Sequence, residues 1–229
     1  MWLILGDEIS RSRPLWCRLG HCCLILIAVL ASSSPRPTSA ATYEFEGPYA
    51  IRVLAQGRAL EISGTFSWAL PQQVGLALAE TPNVRAIYLD SPGGHIKAAL
   101  EVADLITAHN LDTYVSHMCA SACTIAFLAG HRRAVSETAQ LGFHQAHGPN
   151  LSSEQSDLLL RHVYQMYSLP AAFVAHILRT PPQDLWIPNL AELRKAGIVT
   201  AIAPNDAGVP APVPNHEPFR SGAASRPND

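Results

Sequence analysis

The chain has 229 residues, of which 48% are hydrophobic, enough for one α/β domain with a substantial core and too apolar for disorder throughout. Its 16 basic and 18 acidic residues give a net charge of −2, and the arginines are scattered without a basic run, which excludes a nucleic-acid footprint. Lys97 and Lys195 are the only lysines, which limits any mechanism that needs a lysine base.

Residues 1–41 read as a signal peptide or signal-anchor. Arg11, Arg13 and Arg18 precede the apolar run Cys22–Ala31, and a small-residue exit reaches Ala40 and Ala41. The run falls short of the roughly 20 apolar residues that a spanning helix needs. The expectation is therefore cleavage after Ala40 or Ala41, with a retained leader as the alternative. Either way the folded part is expected to be exported, in a periplasmic or other extracytoplasmic compartment. A retained apolar segment would associate with the membrane.

The domain is expected over residues 42–203. Tyr43–Glu46 and Ile51–Val53 read as strand, and Arg58–Gly64 is a strand ending at glycine. A helix follows, with Pro71 near its start and Val74, Leu76, Leu78 and Ala79 on its apolar face. Val84–Leu89 is a strand running into the turn Ser91-Pro92-Gly93-Gly94, and a helix spans about His95 to His109. Leu111–Ser116 is the next strand, and a very apolar helix covers about Ser121 to Ala129. Two short strands, Arg133–Ser136 and Gln140–Phe143, lead to helices over Ser153–Tyr167 and Pro170–Leu178. A short helix at Leu190–Ala196 stops at Gly197, and Ile198–Ile202 closes as a strand. Residues 204–229 are rich in proline, glycine, asparagine and serine and read as a disordered tail. Strands alternating with helices predict a largely parallel sheet with right-handed crossovers. No internal repeat, P-loop or dinucleotide fingerprint is present, and no cofactor is expected.

Three features carry chemistry. Ser121 sits between Ala120 and Ala122 where a strand gives way to a helix. A serine there could cap the helix, which is worth about 1 kcal/mol. It could equally be a nucleophile, since its small neighbours leave room for a substrate carbonyl and the Ala122 amide would face that carbonyl. Gly93-Gly94 could be an ordinary turn, or could let an amide approach a substrate closely. Both segments follow strands, and ligands of open α/β sheets sit outside the carboxyl ends of strands. Gly94 and Ala122 could thus furnish an oxyanion hole. His144 ends a short apolar strand after Gly142 and is the candidate base that a weakly nucleophilic serine needs. Most of the ten histidines read as ordinary surface or helix-face residues.

Ser-Pro-Gly-Gly, then Ala-Ser-Ala after a strand, then Gly-Phe-His-Gln resembles the Clp protease/crotonase superfamily, and more closely its exported ClpP-like serine peptidases. The similarity runs from about Arg58 to Ile202. It implies a ClpP/crotonase-like α/β fold, Ser121 as nucleophile, His144 as general base, and Gly93, Gly94 and the Ala122 amide around the oxyanion. The family's third member, an aspartate before a Gly-Leu-Val-like closing strand, falls on Asp184, with Asp157 as the fallback and a Ser–His dyad as a further option. A lysine base, as in exported signal-peptide peptidases of this superfamily, finds no match in order or context at Lys97 or Lys195.

Cys119 and Cys123 depart from the cytosolic pattern. In an oxidising compartment they are expected to form a disulfide, with two small buried thiols as the alternative. Cys119 as nucleophile ranks lower. His117, Cys119 and Cys123, or His144 with His147, lack a familiar zinc spacing, so no metal is expected. The resemblance implies a peptide or protein substrate and leaves a homo-oligomer open. The rival readings are a catalytically inactive ClpP-like scaffold of the cell envelope and a thioester enzyme of the crotonase branch.

Overall fold

In the computed structural model, residues 47–148 and 152–203 are described, together with the backbone of residues 219–220. The leader, the strand expected at Tyr43–Glu46 and most of the tail lie outside the described residues.

The first strand, β1 (Tyr49–Leu54), pairs antiparallel with β2 (Ala59–Gly64) across a short 3-10 turn. Arg52 faces Glu61 directly in this register, and the two side chains form an ion pair that satisfies an otherwise buried carboxylate. From β2 onward the sheet is parallel. Helix α1 (Leu70–Glu80) leads to β3 (Ala86–Ser91), and α2 (Ile96–Ala108) leads to β4 (Asp112–Ala120). Helix α3 (Cys123–Leu128) is buried at all six positions. Then come β5 (Arg133–Val135), β6 (Gln140–Gly142), α4 (Ser153–Met166), α5 (Ala171–Ile177), α6 (Leu190–Lys195) and β7 (Ala201–Ile202). With β8 (Phe219–Arg220) included, the strand order is β7-β5-β4-β3-β2-β1-β8, and β6 also pairs with β4. The expected α/β architecture with a mainly parallel sheet is therefore the one observed.

In α1 the buried face is Val74, Ala77 and Leu78, at i, i+3 and i+4; Leu76 and Ala79, expected on that face, fall off this stripe and are exposed. In α2 Ala99, Val102, Ala103 and Ile106 form the matching stripe at helical spacing. Helix α4 starts at a reciprocal capping box between Ser152 and Gln155, and α6 at one between Asn189 and Glu192. Among the described residues no helix is long and apolar enough to cross a membrane.

Three boundaries differ from expectation. Strand β4 continues to Ala120 rather than stopping at Ser116. Its first half pairs with β5 and its second half with β6, while the register against β3 shifts between Leu89 and Ser91. The second pairing partner carries the strand onward. The closing strand is shorter than expected because the carbonyls of Gly197 and Ile198 accept hydrogen bonds from the Arg133 guanidinium instead of from a strand. Finally, Phe219–Arg220 (β8) pairs antiparallel with Ile51 and Ala50 on the free edge of β1. An open edge strand offers unpaired backbone groups, which these two residues fill.

Candidate active site

Strands β3, β4 and β6 are parallel neighbours, so their carboxyl ends lie on one edge of the sheet. The Gly93-Gly94 turn leaves β3, Ser121 leaves β4, and His144 follows β6. The three candidate features, far apart in sequence, are thus delivered to the edge where open α/β sheets bind ligands.

Ser121 has a left-handed backbone, φ 53°. For a residue with a Cβ this costs roughly 1–3 kcal/mol and persists only where its surroundings over-determine it. Those surroundings are explicit. The Ser121 amide donates to the Gly142 carbonyl at 2.8 Å. Its carbonyl accepts from the Thr124 amide at 3.0 Å and from Thr124 Oγ1 at 2.7 Å. Thr124 Oγ1 lies 3.3 Å from the hydroxyl of buried Tyr164, whose pKa burial pushes up to about 12. A disulfide joins Cys119 to Cys123 across the turn, with Cα atoms 5.3 Å apart. The Ser121 hydroxyl does not cap the helix. The N-cap of α3 is Ala122, without a side-chain hydrogen bond, and among the described residues nothing bonds to Ser121 Oγ.

Gly93 shows why glycine stands opposite this turn. Its φ is 107°, and a Cβ there would lie 2.7 Å from Ser121 Cβ and 2.8 Å from the Ala120 carbonyl oxygen. Neither distance is tolerable, so the two turns pack backbone against backbone. The Gly93 amide donates to Ser91 Oγ at 3.0 Å, and its carbonyl accepts from Phe66 at 2.8 Å. The His95 amide donates to the Phe66 carbonyl, also at 2.8 Å. In a parallel ladder these two bonds fix the intervening residue: Gly94 turns its amide away from Phe66, toward the β4 side where Ser121 lies. Among the described residues no hydrogen bond occupies the amides of Gly94 or Ala122. Two amides without a partner among the described residues thus belong to the two turns that pack against each other at Ser121.

His144 is fixed through the residues on either side of it. Phe143 exchanges both backbone hydrogen bonds with Trp186, at 2.9 Å each, and packs edge-to-face on Phe173. The half-buried imidazole places Nδ1 2.6 Å from the Gln145 carbonyl oxygen. A carbonyl only accepts, so Nδ1 carries the proton and Nε2 keeps its lone pair, the tautomer a general base requires. Burial lowers the His144 pKa; the Gln145 carbonyl opposes the shift and His147 adds to it. Burial thus favours the neutral imidazole.

The remaining candidates sit elsewhere. Asp184 is exposed, its amide donates to the Pro181 carbonyl at 3.0 Å, and no hydrogen bond or ion pair joins it to His144. The Asp157 carboxylate accepts from Gln145 Nε2 at 3.4 Å. Lys97 pairs with Glu101 on the surface of α2, and Lys195 is exposed in the last turn of α6. Among the described residues no cluster of histidine, cysteine and carboxylate side chains is arranged to hold a metal ion. Sequence reasoning missed Thr124, Tyr164 and the Gln145 carbonyl. Thr124, three residues after the serine at a helix start, carried a local signal. Tyr164, far along the chain on α4, carried none.

The family model for Clp protease matches residues 53–169, just over half of the chain. Among solved structures, ClpP1 from Listeria monocytogenes superposes with a TM-score of 0.54 at 19% identity, covering 66% of this chain and 94% of its own. A point mutant of ClpP1 from the same organism gives 0.53 at 20% identity with the same coverage. No curated protein sequence matches. The matched segment holds β2, β3, β4 and β6 with the turns that carry Gly93, Ser121 and His144, and on that match the chain belongs to the Clp protease family.

Proposed function

We propose that the chain is an exported serine peptidase, cleaving peptide or related amide and ester bonds through an acyl-serine intermediate. The observation that carries this reading is the Ser121 turn: a serine with a left-handed backbone, packed against a diglycine turn, whose hydroxyl has no hydrogen-bond partner among the described residues.

Each step has a group to perform it. Ser121 Oγ attacks the scissile carbonyl carbon while its proton passes to Nε2 of neutral His144. Negative charge collects on the former carbonyl oxygen, which accepts from the amides of Gly94 and Ala122. Such a donor is typically worth about 10²–10³ in turnover. When the tetrahedral adduct collapses, the His144 imidazolium returns the proton to the leaving amine, and an acyl-serine remains. Water repeats the sequence in the second half, with His144 again as base, and frees Ser121.

The leader supports export, and its apolar run supports attachment to the membrane if it is retained. An exported peptidase works away from ATP, so a peptide or a membrane-derived segment suits it better than a folded protein. The fold supports self-assembly into a homo-oligomer.

Hydrolysis of a chromogenic ester and of short fluorogenic peptides by the purified protein tests the reading. Turnover that disappears in Ser121→Ala and in His144→Ala, with Tm unchanged within a few degrees, is expected. A folded wild type without turnover on any substrate would favour a silent scaffold instead.

A further inference from the structure

We propose that the main-chain carbonyl of Gln145, rather than a carboxylate, orients the His144 base, and that Asp157 supports that carbonyl from one residue away. This rests on the reading of Ser121 and His144 as nucleophile and base.

A histidine base needs its second nitrogen protonated and held, so that the ring cannot rotate and the lone pair stays on the reacting nitrogen. In a Ser-His-Asp triad the aspartate does this. Here the only acceptor bonded to Nδ1 among the described residues is the Gln145 carbonyl, at 2.6 Å. That carbonyl belongs to a residue fixed at two further points. The Gln145 amide donates to the Thr180 carbonyl at 2.9 Å. Thr180 is itself anchored just beyond the end of α5, where its hydroxyl donates to the His176 carbonyl at 3.1 Å. On the other side, Gln145 Nε2 reaches Asp157 Oδ1 on α4 at 3.4 Å. The residue after the base thus links the imidazole to two helices.

The electrostatics fit a neutral acceptor. A carboxylate against Nδ1 would hold the imidazolium form and raise the His144 pKa. Burial instead pushes the His144 pKa down, and no carboxylate contributes to the shift. Asp184 lies exposed in the turn after α5 and Asp157 is directed at an amide, so neither carboxylate touches the ring. Asp157 is accordingly a positioning residue, not a catalytic one.

The full chain labelled with ¹⁵N-histidine tests this by long-range ¹H–¹⁵N correlation, with His144 assigned by its disappearance in His144→Gln. A single Nδ1–H tautomer is expected in the wild type and unchanged in Asp184→Asn. Asp157→Ala should shift it toward a mixture, and Asp157→Asn, which keeps the acceptor, should restore it. Fluorophosphonate labelling rates should follow: Asp184→Asn within about 2-fold of wild type, and Asp157→Ala slower by about 5-fold, the worth of one modest hydrogen bond. An Nε2–H tautomer, or a loss of about 10⁴ in Asp184→Asn, the cost of disabling a triad aspartate, would overturn the proposal. Failure of the wild type to label would instead tell against the hydrolase reading, and the tautomer would still decide this one.

Discussion

The turn that carries Ser121 and the segment that carries His144 are held by different means. Around Ser121 the constraints act directly on the turn: an amide to Gly142, a carbonyl taken twice by Thr124, a disulfide from Cys119 to Cys123, and Gly93 packed against the serine's Cβ. His144 has none of these itself. Its position comes from Phe143 and Gln145 on either side, through Trp186, Thr180 and Asp157 on later parts of the chain. Ser121 is locked by contacts made directly on its turn, and His144 is located by docking through its chain neighbours. A serine forced into a left-handed backbone needs the first kind of support, because its strain must be opposed where it arises. A base needs only orientation and a suitable pKa, and the second kind suffices.

The comparison can be broken most severely at Gly93. Gly93→Ala places a methyl 2.7 Å from Ser121 Cβ at a φ of 107°. One of the two turns must move, so labelling of Ser121 should fall by about 10²–10³, the loss expected when an oxyanion donor is misplaced. Circular dichroism should still show a folded chain. Next comes the disulfide. Removing it as the Cys119→Ala/Cys123→Ala pair frees a link of sequence separation 4. The expected destabilisation is about 2 kcal/mol by loop-closure entropy, read as a lower denaturant midpoint. Reduction of the wild type should lower the midpoint by a similar amount.

Tyr164→Phe probes the outer support of the same turn. It removes the hydroxyl 3.3 Å from Thr124 Oγ1 but leaves Thr124 bonded to the Ser121 carbonyl. A stability loss of about 1 kcal/mol is expected, with little change in labelling. The smallest effect is on pH dependence, and it reports the His144 side. The base acts only when neutral, and burial lowers its pKa from 6.5. Activity should rise with pH through that lowered value, so the acid limb of kcat/KM should have its midpoint below 6.5. A midpoint above it would mean that a carboxylate reaches the ring after all.

The same contrast decides what the sequence made legible. The alternation of strand and helix from Arg58 to Ala129 was readable because each buried face has its own periodicity, and the nucleophile turn was readable because close packing demands small residues. Ala120, Ala122, Gly93 and Gly94 advertise that demand. The continuation of β4 past Ser116 was not legible, since it depends on a register shift and on a second pairing partner that appears only later in the chain. Nor was β8, two residues inside a proline-rich stretch that pair with an edge strand far away in sequence. At the site, the serine, glycines and histidine stood out in the sequence. The acceptor on Nδ1 did not, because every residue owns a carbonyl and no residue type marks the one that is used. Asp184 was placed by resemblance of order alone. The structure puts it in an exposed turn with no bond to His144.

The central claim, that Ser121 is an activated nucleophile, is tested most directly by treating the purified full chain with a fluorophosphonate and locating the adduct by tandem mass spectrometry. Stoichiometric modification is expected on the peptide containing Ser121, absent in Ser121→Ala and strongly slowed in His144→Ala. An adduct on another residue, or none on a folded wild type, would contradict it.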